Sequence, residues 1–253
     1  MGLGRALLLA CAAPLAIGAA KPRLVPDVSQ DRVEIRSTFN GAELLLFGAV
    51  LYPGGRTPTE HADIAVVVKG PVQALVVREK QKVAGIWMNV EAARFRSAPA
   101  FYAVASSRPI AGLVDERTAA IYELGLQNLS LSPGAGKSAE VQRRFEAGLV
   151  DLMQRRQLYI EDPDGVKITD HVLYRGRVSI PARVPVGDYT AETFLIKDGR
   201  VIAGAQREIR IEKLGFERDV AEAADRWSFA YGIAAVALSL LLGWGGSLVF
   251  RKG

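Results

Sequence analysis

The sequence predicts a mainly β protein: an antiparallel, immunoglobulin-like β-sandwich of one or two units, with a helical insertion and a C-terminal transmembrane helix. Short apolar segments bounded by Gly, Pro, Asn and Asp recur over residues 32–107 and 158–212, which is typical of a sandwich. Between them, at about 115–157, the apolar period becomes helical. The transmembrane helix is predicted from residues 229–250, which include no charged residue.

The first twenty residues have the layout of a secretory signal peptide. Arg5 precedes an apolar stretch at residues 7–17, and small residues lead up to Ala20. A helix of this stretch would span about 17 Å, which is short of the ~30 Å core of a bilayer. We therefore expect cleavage after Ala20. The alternative is lipidation of Cys11, because the residues before it loosely resemble a lipobox.

The body, residues 21–213, is predicted to begin with a run of strands. Val33 and Ile35 alternate with charged residues, as in a half-buried strand, whereas Ile64–Val68 is apolar on both faces, as in a central strand. The predicted strands of this run are 32–36, Glu43–Leu51, Ile64–Val68, Val72–Val77, Gly85–Val90 and Ala100–Ala105.

Two helices are predicted in the insertion at about 115–157. Asp115 can cap a short helix that ends near Leu124, and Ser138 can cap a longer one that ends near Gln157. The longer helix is amphipathic, and its predicted buried residues are Val141, Phe145, Leu149 and Leu152.

Strands return after Leu158. Val172–Ile180 is one predicted strand, and two more, Tyr189–Lys197 and Arg200–Glu212, are predicted to pair as a hairpin. The turn between them is Asp198-Gly199, a dipeptide that favours a two-residue hairpin loop.

The C-terminal end is predicted to enter a membrane. Residues 214–228 favour a juxtamembrane amphipathic helix, and residues 229–250 would span about 33 Å as a helix. The cationic tail at 251–253 favours a cytoplasmic C-terminus, since positive charge is enriched on the cytoplasmic side. A signal peptide requires the same orientation. We therefore expect a single-pass protein of the inner membrane with a periplasmic body.

Composition and motifs indicate little catalytic chemistry. The net charge of +5 comes from interspersed charges, which is typical of a solvated surface and does not indicate nucleic-acid binding. The loop 134–138 resembles the end of a phosphate-binding loop but lacks the earlier glycine. His61 and His171, the two histidines of the chain, show no paired ligand spacing. We predict no catalytic residue, no metal and no cofactor.

Two sets of residues are candidates for interaction. Small residues recur at four-residue spacing along the predicted membrane helix, where they would let another helix approach closely: Ala235, Ser239, Gly243 and Ser247. Aromatic and cationic residues interleave in the body and form a candidate ligand-binding surface: Trp87, Arg94, Tyr102 and Arg108. The alternative is that these aromatics lie in the core and the arginines are solvated.

The chain resembles the uncharacterised alphaproteobacterial transmembrane protein family. The matching segments run through most of the chain: 39–41, 46–49, Gly85–Val90, Ala98–Ser107, 180–181, 186–189 and 243–244. The resemblance implies no catalytic residue. It suggests a sulfite-exporter-like permease as a partner, because genes of this family look like frequent neighbours of genes for such permeases.

The leading functional hypothesis is a non-enzymatic, membrane-anchored periplasmic module that is an accessory subunit of an integral-membrane partner or self-associates through its membrane helix. Besides that partner, it would contact the lipid bilayer and no nucleic acid. An alternative is a periplasmic anion- or solute-binding protein that uses Arg94 and Arg108. A further alternative is a hydrolase with His61 or His171 as its base.

Overall fold

The structure, a computed structural model, describes residues 22–35, 41–55, 61–134, 136–213 and 224–250. The predicted signal peptide, Cys11, the tail 251–253 and most of the predicted helix 214–228 lie outside these ranges. The strands in the described ranges are β1 Arg23–Val28, β2 Arg32–Ile35, β3 Ala42–Leu51, β4 Asp63–Lys69, β5 Val72–Val83, β6 Ile86–Pro99, β7 Tyr102–Ser106, β8 Ser132–Pro133, β9 Tyr159–Asp162, β10 Val166–Thr169, β11 Leu173–Ile180, β12 Gly187–Lys197 and β13 Arg200–Lys213.

These strands form three sheets. Sheet A has the order β1-β3-β11-β10 and is antiparallel throughout. Sheet B has the order β2-β13-β12-β4-β7-β9, with parallel pairs only at its two edges. Sheet C, of order β5-β6-β8, is dominated by one long hairpin. The prediction of a mainly β chain with antiparallel sheets is confirmed.

Sheets A and B pack against each other across the hydrophobic core. In β11 the inward positions alternate with outward ones, so Tyr174, Val178 and Ile180 are buried. From sheet B, the whole of Ile64–Val68 is buried, as expected for a central strand covered on both faces. Contacts between β1 and β13, and between β11 and β7, join the two sheets. The buried residues of the two sheets therefore belong to one hydrophobic core.

Strand β1 was not predicted from the sequence. Pro26 lies inside it and argues against a strand, because proline has no N–H to donate to a neighbouring strand. The structure accommodates this proline because β1 is an edge strand of sheet A, paired only with β3.

Strands β4 and β5, and likewise β6 and β7, form one continuous two-stranded ribbon. Between them, Gly70 N donates to Phe101 O and Ala100 N donates to Pro71 O, both at 2.8 Å. β4 and β7 lie inside sheet B, whereas β5 and β6 continue past its end as the hairpin of sheet C. The two predicted strands Val72–Val77 and Gly85–Val90 are the ends of this longer hairpin.

The helices of the insertion are α1 Ile110–Leu113, α2 Glu116–Ile121 and α3 Ala139–Arg155. Both predicted N-caps are confirmed: Asp115 Oδ1 accepts from Thr118 N at 2.8 Å, and Ser138 Oγ accepts from Val141 N at 3.4 Å. The predicted buried face of α3 is slightly wrong at its C-terminal end.

There, Met153 is buried, while Leu152 is 39% exposed. The reason is that Phe145, Leu149 and Met153 keep a strict four-residue spacing, which places them on one side of the helix.

The last described element is α4, Ser228–Phe250. Its described side chains up to Trp244 are exposed. Among the residues that the structure describes, no helix meets the combined length and apolarity of a membrane span.

Candidate functional site

The candidate site is the hairpin of β5 and β6, which extends from the end of sheet B. Its strands are joined by a two-residue turn in which Ala84 (φ 49°) and Gly85 (φ 87°) both have positive φ. This is the backbone geometry that matches the twist of a tight hairpin. Twelve residues in β5 at about 3.3 Å each give the hairpin a length of about 40 Å.

One face of the hairpin packs against α3. Near the base of the hairpin, Ala93 and Phe95 are buried beside Phe145 of α3. Further out on the same face, the acidic side chains of Glu79 and Glu91 face the helix.

Both acids are neutralised by cations of the insertion. Glu91 accepts from Lys137 Nζ and from Arg144 Nη2, each at 2.7 Å, and Arg144 Nη2 also lies 3.1 Å from a Glu79 oxygen. The hydrogen bond from Lys137 lowers the pKa of the Glu91 carboxyl. Lys137, in the loop that resembles a phosphate-binding loop, is therefore already paired with a carboxylate.

The opposite face of the hairpin is basic. Residues at alternate positions of a strand share a face, and the pairing of Val76 with Arg94 places the alternate positions of both strands on the same side. The cations of this face are all exposed: Arg78, Lys80, Lys82, Arg94 and Arg96. Neither strand contributes an acidic residue to it, and none of the five cations forms an ion pair with any residue in the described ranges.

The tip of the hairpin is apolar. Ile86 is 68% exposed, Trp87 67% and Met88 51%. Val83 and Val90 beside them are also exposed. Large apolar side chains scattered singly on a surface are ordinary, but here Val83, Ile86 and Met88 share one face of the tip and Trp87 lies on the other. Exposed apolar side chains gathered at one tip are typical of an interaction site.

The hairpin leaves the sandwich at the end from which the chain continues towards α4. Gly187, the first residue of β12, pairs with Ile211 near the end of β13. A Cβ on Gly187 would lie 3.2 Å from Pro71 Cγ, at the base of the hairpin. The last residues of β13 and the base of the hairpin are therefore close together. The Asp198-Gly199 turn lies at the opposite end of sheet B.

The structure brings together only two of the four predicted ligand-binding residues. Trp87 and Arg94 both lie on the exposed face of the hairpin. Tyr102 is buried in β7, where its hydroxyl donates to Glu123 O at 2.6 Å and accepts from Gly125 N at 3.1 Å. Burial raises the pKa of Tyr102.

Arg108 lies at the far end of sheet B. Its Nε and Nη2 donate to Asp63 Oδ2 at 2.9 and 2.8 Å. The hydrogen bond with Asp63 raises the pKa of the Arg108 guanidinium. Because Asp63 begins β4, and the hairpin follows the other end of that strand, Arg108 and Trp87 cannot line one small pocket.

The two histidines, 110 positions apart in sequence, are in contact. The rings of His61 and His171 meet edge to face, with centroids 4.6 Å apart. Sequence spacing gave no sign of this contact. Within the described ranges, no group of three or more His, Cys, Asp or Glu side chains surrounds them in a geometry suited to a metal ion.

The small-residue positions predicted for helix packing lie on α4. Ala235, Ser239 and Gly243 are exposed, and Ser239 Oγ donates to Ala235 O at 2.8 Å within the helix. Ser247 falls in the same helix.

The basic face itself was not predicted from the sequence. The signal that could have found it is the alternation of Arg78, Lys80 and Lys82 with other residues, matched by Arg94 and Arg96 on the next strand. The pattern does not resemble a half-buried strand, because the residues that alternate with the cations, Glu79 and Gln81, are polar as well. Only the packing of α3 distinguishes the two faces.

Comparisons with known proteins give one family. No curated protein sequence matches the chain. The structure of Spo0M, sporulation control protein, from Bacillus subtilis aligns with a TM-score of 0.31 and 10% identity, over 82% of this chain and 56% of that chain. At this similarity the alignment supports no inference. The family model described as "Putative transmembrane protein (Alph_Pro_TM)" matches residues 23–252. The resemblance to an alphaproteobacterial transmembrane family is thus confirmed, and the chain belongs to that family.

Proposed function

We propose that the protein is a non-catalytic accessory module, anchored in the inner membrane by residues 229–250, with its body in the periplasm. The observation that carries the proposal is the character of α4. The segment 229–250 contains no charged residue, and the described side chains of the helix are exposed, including Phe229, Leu240 and Trp244. Exposed apolar surface of this extent is unfavourable in water and is stabilised in lipid or against another helix.

The periplasmic placement rests on the two ends of the chain. The signal-peptide pattern of residues 1–20 and the cations of residues 251–253 favour the same orientation. For the body, we propose an immunoglobulin-like sandwich, supported by two mainly antiparallel sheets around a shared core.

Membrane anchoring is tested by fractionation of the full chain. We expect the protein to sediment with membranes and to resist extraction by alkaline carbonate. A C-terminal green fluorescent protein should fluoresce, and a C-terminal alkaline phosphatase should be inactive, if the C-terminus is cytoplasmic. Extraction into the carbonate supernatant, or the reverse reporter pattern, would contradict the proposal.

The partner is tested by affinity purification in mild detergent. We expect an integral-membrane protein to be recovered, with sulfite-exporter-like permeases as the first class to examine because of the family resemblance. Gly243→Leu should reduce recovery, because small residues permit close helix contact. The control is Ala237→Leu, which lies six residues and about 120° away round the helix.

Equal recovery with Gly243→Leu and Ala237→Leu would contradict a contact through the small-residue positions. Recovery of the protein without any other membrane protein would contradict the accessory role. Cross-linking of the purified protein then distinguishes self-association from a monomeric anchor.

A further inference from the structure

We propose that the β5–β6 hairpin is a second membrane contact, which inserts its apolar tip among anionic lipid headgroups while its basic face binds their phosphates. This inference rests on the anchoring proposed above, and it specifies the surface that the body contacts. Three observations support it: the order of residue types along the hairpin, the absence of acidic residues from its basic face, and the place where it leaves the sandwich.

The order of residue types matches the layers of a bilayer surface. On β6 the three residues that follow the turn, Ile86, Trp87 and Met88, are apolar and exposed, and they lie within about 10 Å of the turn at ~3.3 Å per residue. On β5, Lys82 pairs with Trp87 and Lys80 with Asn89, so the two lysines lie beside the apolar residues and just behind them, and Arg78 lies further from the turn. A tip that entered by 5–10 Å would place the apolar side chains at the boundary of the acyl chains and the lysines among the headgroups. Trp is favoured at this depth.

The charge distribution favours an anionic partner. The cations of the basic face are unpaired among the described residues, while the acids of the hairpin, Glu79 and Glu91, are turned towards α3 and neutralised by Lys137 and Arg144. The hairpin therefore presents positive charge outward without an opposing negative charge on that face. Each cation near an anionic bilayer increases binding by about fivefold.

The position of the hairpin makes contact with the bilayer feasible. Its base lies beside the end of β13, from which the chain continues to α4. Residues 214–227 separate β13 from α4 and can span no more than about 50 Å. The hairpin, at about 40 Å, is of comparable length and leaves the same end of the body. A protein partner would also accept a basic, apolar-tipped hairpin, but it would not require the hairpin to leave the body at the same end as β13.

The test measures lipid contact at the tip in the full chain. A single cysteine is introduced by Ile86→Cys in a Cys11→Ser background, because Cys11 is the one cysteine of the sequence. The cysteine is labelled with an environment-sensitive fluorophore, and the chain is placed in nanodiscs of phosphatidylcholine with or without phosphatidylglycerol. Some lipids carry a spin label that quenches fluorescence on contact. The control label is at Asp198→Cys, in the exposed turn at the opposite end of sheet B.

We expect strong quenching at position 86 in the anionic discs, weak quenching there in the zwitterionic discs, and none at position 198. Lys80→Gln with Lys82→Gln should weaken the contact by about 25-fold, from two factors of five. Lys167→Gln with Arg156→Gln removes two exposed cations elsewhere and should leave the quenching unchanged. High salt should reduce the contact, since it screens exposed charges.

Quenching at position 86 no greater than at position 198 would overturn the proposal. Equal quenching in both kinds of disc would overturn the role of headgroup charge. Protection of the label by a co-purified protein, without lipid quenching, would assign the hairpin to a protein partner. If the chain does not stay in the discs, the anchor fails separately, and flotation of the same labelled chain with anionic vesicles still decides the hairpin contact.

Discussion

Strands β4 and β5 are consecutive parts of one extended segment, yet they lie in opposite environments. In β4 the residues Ile64–Val68 are fully buried, whereas nine of the twelve residues of β5 are exposed and none is buried. Only Gly70 and Pro71 separate the two strands. The same contrast holds between β7, which is buried throughout, and the distal half of β6. Burial of β4 and β7 stabilises the fold, whereas the outer part of the hairpin is exposed and is available for contacts with other molecules.

This contrast predicts very different effects for two aromatic residues of the same strand. Phe95 of β6 is fully buried, so Phe95→Ala should reduce the free energy of unfolding by about 3–5 kcal/mol. Trp87 is 67% exposed, so Trp87→Ala should change it by no more than about 0.5 kcal/mol. Denaturant unfolding of both variants checks this. A similar loss for the two variants would show that the hairpin tip packs against the body.

Two glycines of the body should respond differently to the same substitution. A Cβ on Gly48 would lie 2.4 Å from Val25 O and 2.6 Å from Tyr174 Oη, so Gly48→Ala should cost about 1–3 kcal/mol by overpacking. At Gly204 the nearest atom would be Phe194 Cδ1 at 3.5 Å, an ordinary contact. Gly204→Ala is therefore the matched control and should be nearly neutral. Thermal unfolding compares the two, and tolerance of Gly48→Ala would contradict the close approach of β1 and β3.

One lysine, Lys69, is expected to stabilise the junction at which β4 ends and the hairpin begins. Lys69 Nζ lies 2.7 Å from a Glu123 oxygen and 3.1 Å from a Glu192 oxygen. Although burial disfavours the charged form of Lys69, its hydrogen bonds with both carboxylates outweigh this and raise its pKa.

Lys69→Gln would leave the two carboxylates without their shared cation and should reduce the free energy of unfolding by about 1 kcal/mol. The control is Lys167→Gln, which changes an exposed lysine of β10. Denaturant titration should give a lower midpoint for Lys69→Gln than for Lys167→Gln. Equal midpoints would show that the Lys69 cation does not contribute to the free energy of unfolding.

The smallest expected effect is a pH dependence of the hairpin alone. The pKa of Glu91 is lowered mainly by the hydrogen bond from Lys137, and Arg144, which also contacts Glu79, lowers it further. A lowered pKa means that the stabilisation is present above the unfolded-state pKa of about 4.3 and is lost as the pH falls through the lower folded-state pKa.

Amide hydrogen exchange of residues 72–99, corrected for the intrinsic pH dependence, should therefore show weaker protection at pH 3 than at pH 7. Glu91→Gln should weaken protection at pH 7 and reduce its change with pH. Protection that stays constant in the native chain would show that the contact with α3 depends on packing alone.

The local features of the fold could be predicted from the order of the amino acids. Apolar runs and turn dipeptides located β3, β4, β11 and the β12–β13 hairpin, because alternation and Asp-Gly turns act over a few residues. Asp115 and Ser138 were recognisable as caps for the same reason. Membership of a transmembrane protein family was also accessible from scattered motifs.

Which surfaces are buried and which are exposed depends on contacts between distant parts of the chain. The contact of His61 with His171, the burial of Tyr102 and the pairing of Arg108 with Asp63 join residues that are far apart in the chain. The basic face was equally hidden, because a charged strand has no apolar period to show which side is covered. The packing of α3 on one side of the hairpin neutralises its acids and leaves its cations exposed, and no local pattern determines that choice.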